Sequence, residues 1–205
     1  MGPLEWAVVF VFLVSFLSNV SPFVGASYTL IATLQLVVLG FSPLNFVAVV
    51  AVSAVGATLA KFVMYFGGFG FKRVLEKNRN VQLLGRYSSS WGFYLALFVA
   101  ALFPVFPFDD LIFIGAGAAS ASLGAMASVT LLAKLLKSFG EIALEFTIFR
   151  GLSSALGNNQ LLVTAALTVV FVVIGVIAYK VDWEGALKRV GIIPPKTGSD
   201  SGASD

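Results

Sequence analysis

The sequence predicts an all-α polytopic membrane protein: two opposed re-entrant helical hairpins plus about three full transmembrane helices, related to one another like an inverted repeat. Three observations carry this. The chain is 59% hydrophobic and 11% charged, with a mean hydropathy of +0.97, whereas soluble domains carry about 25% charged residues. Apolar stretches long enough to cross a hydrocarbon core of about 30 Å recur along it. Basic residues gather beside those stretches, and cytoplasmic segments are the ones enriched in Lys and Arg.

The first apolar block covers residues 6–39 and is broken by "SNVSPFVG", where Pro22 and Gly25 are turn formers. It is too short for two spans of about 20 residues plus a turn, so two half-length helices entering and leaving on one side are expected. Residues 44–71 read as a full span. Segment 72–92 is the strongly polar interior piece, with Lys72, Arg73, Lys77, Arg79 and Arg86 against Glu76, and is expected as a cytoplasmic loop. Residues 93–119 are apolar but interrupted by Pro104, Pro107, Asp109 and Asp110. Spans follow at 120–149 and 161–179, and a tail from 181 onward whose end, "KTGSDSGASD", is expected to be disordered. Residues 1–180 thus read as a single membrane domain.

Counting crossings decides how the broken blocks are placed. Lys180, Lys188 and Arg189 put the tail in the cytoplasm with segment 72–92, so an even number of crossings separates the two. The spans 120–149 and 161–179 supply two. Residues 93–119 are too few to cross twice and must dip in and return. The same logic places 40–43 outside and makes 6–39 dip in from that side. Opposed hairpins of this kind usually meet at a polar site near the midplane.

With no cysteine and no histidine, disulfides, thiolate chemistry and imidazole-based metal or acid–base sites are excluded; no cofactor, no metal and no enzymatic activity are expected. The net charge of +3 sits beside apolar runs, which speaks for topology rather than nucleic acid. "MGPLEW" lacks the basic start of a signal peptide and is a poor acylation signal.

The candidate functional residues are the charged ones inside apolar stretches. Asp109 and Asp110 follow the Pro107 break. One of them, Asp109 first, would cap the helix that starts there, an effect worth about 1 kcal/mol. Two adjacent carboxylates exceed what capping requires, and ionisable groups at membrane depth face a cavity or a partner. Lys61 snorkels to the interface if its span ends near Phe66, and needs a counter-charge if the span ends at Phe71. Lys134, Lys137, Glu141 and Glu145 recur at intervals of 3, 4 and 4, which places them on one helix face. They form either i,i+4 pairs that seal a charged stripe or the lining of a translocation route. The basic segment 72–86 is first a topology signal and second an attraction for anionic lipid. "GAGAAS" at 115–120 follows no strand, so it is read as close helix packing rather than nucleotide binding.

"FPVFPFDDLIFIGAGAAS" (103–120) and "VGATLAKFVMYFGGFGF" (55–71) together resemble the DedA family, also called the VTT or SNARE-associated membrane proteins. The first matches that family's proline-bearing break, paired aspartates and glycine-bearing helix. The second matches its glycine and tyrosine pattern through Gly56, Tyr65 and Gly67 or Gly68, with Ala60 where a second glycine is common. The resemblance covers roughly residues 15–150. The chain departs from the family in having no glutamate in "SPFVGASY" and no arginine before Pro104, so no residue-for-residue mechanism carries over. The resemblance implies a multi-pass plasma-membrane protein that moves or scrambles lipids, including lipid-linked phosphates such as polyprenyl phosphate, with membrane lipids as its partners; a homo-oligomer is compatible with it. Two alternatives are a proton-coupled exporter of small molecules or cations and a non-catalytic scaffold or assembly factor.

Overall fold

The computed structural model describes residues 2–20, 28–102, 108–156 and 159–180, and every regular element among them is an α-helix. In chain order these are α1 (Pro3–Val20), α2 (Tyr28–Leu39), α3 (Pro43–Gly70), α4 (Lys72–Leu75), α5 (Arg79–Tyr87), α6 (Trp91–Leu102), α7 (Phe108–Ala118), α8 (Leu123–Ala155) and α9 (Gln160–Lys180). Residues Met1–Leu167 form one compact unit and Thr168–Asp205 a second; the described part of the second is helical up to Lys180.

Local chemistry sets several of the boundaries. Ser42 caps α3 by accepting a hydrogen bond from the Asn45 N–H at 3.1 Å, with Pro43 following at the first helical position. Gly40, at φ +79°, reverses the chain after α2. Ser120, at φ +58°, ends α7: its N–H reaches the Gly117 carbonyl and the Ala121 N–H reaches Ala116, the paired bonds of a Schellman turn.

Helix α3 packs against α1, α2, α7 and α8, and α8 also packs against α2 and α6. Two apolar cores result. In one, Val11, Ala32, Leu36, Val49, Val50 and Ile142 join α1 and α2 to α3 and α8. In the other, Met64, Tyr65, Phe93, Leu97, Phe113 and Met126 join α6 and α7 to the same two long helices. Large apolar side chains also cover the outside, among them Phe10, Leu13, Leu59, Phe66, Leu132, Leu136 and Leu144. Such a surface suits hydrocarbon rather than water. Helices α1, α3 and α8 are long and apolar enough to cross a membrane, and on that basis the chain is a membrane protein.

The helices differ from the sequence reading in three places. The arms of the first block are unequal: α1 has 18 residues, about 27 Å, and α2 has 12, about 18 Å. Pro3 opens α1 three residues before the apolar block that the half-and-half division assumed. The segment expected as loop 72–92 folds into α4 and α5 and then enters α6 at Trp91, because Asn78 caps α5 by accepting from the Asn80 N–H and its apolar residues recur at helical spacing. The span expected over 120–149 runs from Leu123 through to Ala155, since nothing in "RGLSSA" breaks a helix outright and Ser154 returns its hydroxyl to the Gly151 carbonyl. The expected breaks Pro22, Gly25, Pro104 and Pro107, and the tail from 181 onward, lie outside the described residues.

Candidate functional site

Asp109 and Asp110 occupy the first turn of α7, where the positive end of the helix favours anions. Lys61 projects from the last third of α3 into this turn. Its ammonium pairs with Asp110 and stands 3.3 Å from Asp109 Oδ2. Lys134 of α8 reaches the same Asp109 oxygen at 2.9 Å. All four residues are at most 4% exposed. Two cations and two anions leave the quartet formally neutral, the condition under which a buried charge is tolerated.

Of the two readings of Lys61, the counter-charged one holds: α3 continues to Gly70 and the ammonium stays inside the bundle. Asp109 faces lysines of two other helices, α3 and α8. The quartet thereby ties α3, α7 and α8 at one point.

The remaining candidates continue along α8. Lys137 lies 4.0 Å from Glu141 and 5.9 Å from the centroid of the Tyr28 ring, within cation–π range. The Tyr28 hydroxyl is 3.5 Å from Ser138 Oγ. Eleven residues beyond Lys134, about 16 Å up the helix, Glu145 is 1% exposed. It accepts hydrogen bonds from Thr29 Oγ1 at 2.9 Å and Thr33 Oγ1 at 2.5 Å, both on α2. Glu145 makes no ion pair with a basic side chain among the described residues. On α8, Lys134 and Glu145 are buried and Lys137 and Glu141 half-buried between them, and of the four only Lys134 joins the aspartates.

No family model, curated protein or solved structure matches the chain. The DedA/VTT resemblance accordingly rests on the motifs in 55–71 and 103–120.

Sequence reasoning missed Thr29, Thr33, Tyr28 and Ser138. One signal was available. Glu145 has Glu141, not a base, four residues before it, so its partner had to come from another helix, and the Thr29/Thr33 pair at i,i+4 offers hydroxyls in an otherwise apolar helix. Thr33→Val should remove the shorter donor to a buried carboxylate and cost about 0.6–1.7 kcal/mol, the range for hydrogen bonds between membrane helices, read as a lower midpoint in reversible detergent unfolding, while Thr33→Ser should keep most of the stability.

Proposed function

We propose that the protein is a lipid flippase or scramblase of the DedA/VTT type in the plasma membrane, acting on phosphate-bearing lipids such as a polyprenyl phosphate. The observation that carries this reading is the line of charged residues along α8, which runs from the buried Lys61–Asp109–Asp110–Lys134 quartet through half-buried Lys137 and Glu141 to buried Glu145. A head group would move along that row while its tails stay in lipid. Two aspartates alone would repel a phosphate. A phosphate entering the quartet would take a carboxylate's place on Lys61 or Lys134, and the displaced aspartate would then have to bind a proton, because an unpaired buried carboxylate is costly.

In this reading α1–α2 is a hairpin entering from outside, α6–α7 is one entering from the cytoplasm, and each is followed by a full span, α3 or α8; α9 is the third. Reciprocal packing supports the inverted repeat: α1 lies on α3 as α6 lies on α8, and α2 meets α8 as α7 meets α3. The polar contacts follow the same exchange. Lys61 of α3 grips the first turn of α7, and Glu145 of α8 grips the first turns of α2. Broken helices whose N-terminal ends converge on a site are a transporter device.

The test is transbilayer movement of a fluorescent lipid in vesicles holding the purified protein. Wild type should accelerate it. Asp109→Asn with Asp110→Asn should slow it by roughly tenfold or more, a barrier increase of about 1.4 kcal/mol. An unchanged rate in a double variant with native helicity and detergent solubility would remove the site assignment. Loss of stability without any wild-type lipid movement would favour a scaffold.

Glu145 supports a second reading, a proton-coupled exporter, because a buried carboxylate whose partners among the described residues are hydroxyls can carry a proton. Substrate uptake driven by a pH gradient and abolished in Glu145→Gln, with no lipid movement, would select it.

A further inference from the structure

We infer that α4 and α5 form an anchor on the bilayer surface that binds the head groups of anionic lipid. The segment is two-sided. Inward, Val81 and Ser88 are buried, and α5 lies on α7. A Cβ on Gly115 would come within 2.5 Å of Leu84 Cδ1, and one on Gly85 within 3.2 Å of the Ala119 Cβ, so the seat is tight. Lys72 fastens the adjoining end by donating to Ser120 Oγ at 2.9 Å.

Outward, Arg73, Lys77, Arg79 and Arg86 are exposed, and none makes an ion pair with an acidic side chain among the described residues. The one acid in the segment is Glu76. Among these bases stand exposed Phe71, Val74, Leu83, Tyr87 and Trp91, the last 77% accessible.

A soluble partner would account for the charges or for the apolar side chains, but the fold favours lipid for both together. Phe71 directly follows the apolar helix α3 and Trp91 opens the apolar helix α6, so hydrocarbon that surrounds those helices ends beside this segment. Aromatic side chains settle at that boundary, and Lys and Arg are drawn to anionic head groups just above it. Topology alone needs basic residues on this side. It does not need them on an amphipathic helix docked against the element that carries Asp109 and Asp110. Held by the surface through α5, α7 gains a fixed point at its far end from the aspartates.

The experiment uses the full chain with Trp6→Phe and Trp183→Phe, leaving Trp91 as its sole tryptophan, reconstituted in zwitterionic vesicles. These contain an equal mole fraction of lipid brominated near the head group, either phosphatidylglycerol or phosphatidylcholine. Trp91 fluorescence should be quenched about twofold more by the anionic brominated lipid, and high salt should erase the difference. Lys77→Gln/Arg79→Gln/Arg86→Gln should erase it too, whereas Arg79→Lys/Arg86→Lys should keep it. Equal quenching by the two lipids in the unsubstituted segment overturns the proposal. So does a preference that persists in the triple Gln variant. Neither readout depends on lipid transport, so failure here and failure of the flippase reading are separate results.

Discussion

Lys61→Met should destabilise the bundle by about 3–5 kcal/mol, the cost of removing one partner from a buried ion pair and leaving the other uncompensated. In the native quartet Lys61 serves both aspartates, while Lys134 reaches only Asp109. Its loss therefore leaves Asp110, 4% exposed, with a carboxylate neighbour and no cation. Lys134→Met should cost less, since Asp109 keeps Lys61 at 3.3 Å. Removing the charge on both sides, in Lys61→Met/Asp110→Asn, should recover most of the loss, because a pair of similar-sized neutral side chains restores the charge balance with Asp109 and Lys134. Reversible unfolding in mixed micelles measures all three. The magnitude separates charge from ordinary hydrogen bonding, since hydrogen bonds between membrane helices average only about 0.6 kcal/mol. A Lys61→Met protein within about 0.5 kcal/mol of wild type would behave like a substitution at a solvated surface site and would show that the quartet is not sealed.

How much of this could be read from the chain depends on what kind of information each feature needs. Composition and run length suffice for an all-helical, membrane-type fold, and the spacing of Lys134, Lys137, Glu141 and Glu145 suffices for one shared face, because both are local properties. Asp109 and Asp110 stand out for the same reason: charge inside an apolar run is visible without any structure. Partnership is not local. Lys61 and Asp110 are 49 residues apart, and Thr33 and Glu145 are 112 apart, so no periodicity joins them. Thr29 and Thr33 are also silent in a hydropathy count, where a threonine blends into its apolar neighbours. Crossing arithmetic divides a block by length and cannot see that α1 is longer than α2. Nor can it see that α8 continues through a run of glycine and serine, which weakens a helix without ending it. The "G-x-G" in α7 was legible as packing, but not which helix it packs on.

That last question is answered by glycines, and they make the second large effect. Gly68 of α3 and Gly117 of α7 face each other's backbones: a Cβ on Gly68 would overlap the Ile114 carbonyl, and one on Gly117 would overlap the Tyr65 carbonyl and stand 3.1 Å from the Phe69 nitrogen. Small residues let membrane helices approach this closely. Gly117→Ala and Gly68→Ala should therefore each cost about 1–3 kcal/mol by overpacking, and Gly117→Val more. The neighbouring Gly67, and Gly124 at the start of α8, have nothing within 4 Å of an added Cβ. For them Gly→Ala should be neutral or stabilising by up to about 1 kcal/mol, because alanine is the better helix former. Opposite signs at the adjacent positions 67 and 68 would exclude a general intolerance of this stretch to substitution; equal effects would show that α3 and α7 are not in backbone contact. The glycines also bear on the site. An α7 pushed away from α3 carries Asp109 and Asp110 away from Lys61, so Gly117→Ala and Lys61→Met remove part of the same interaction. Their double variant should lose less than the two single losses combined, by about 0.5–3 kcal/mol. Strict additivity would mean that helix packing and the ion quartet are independent.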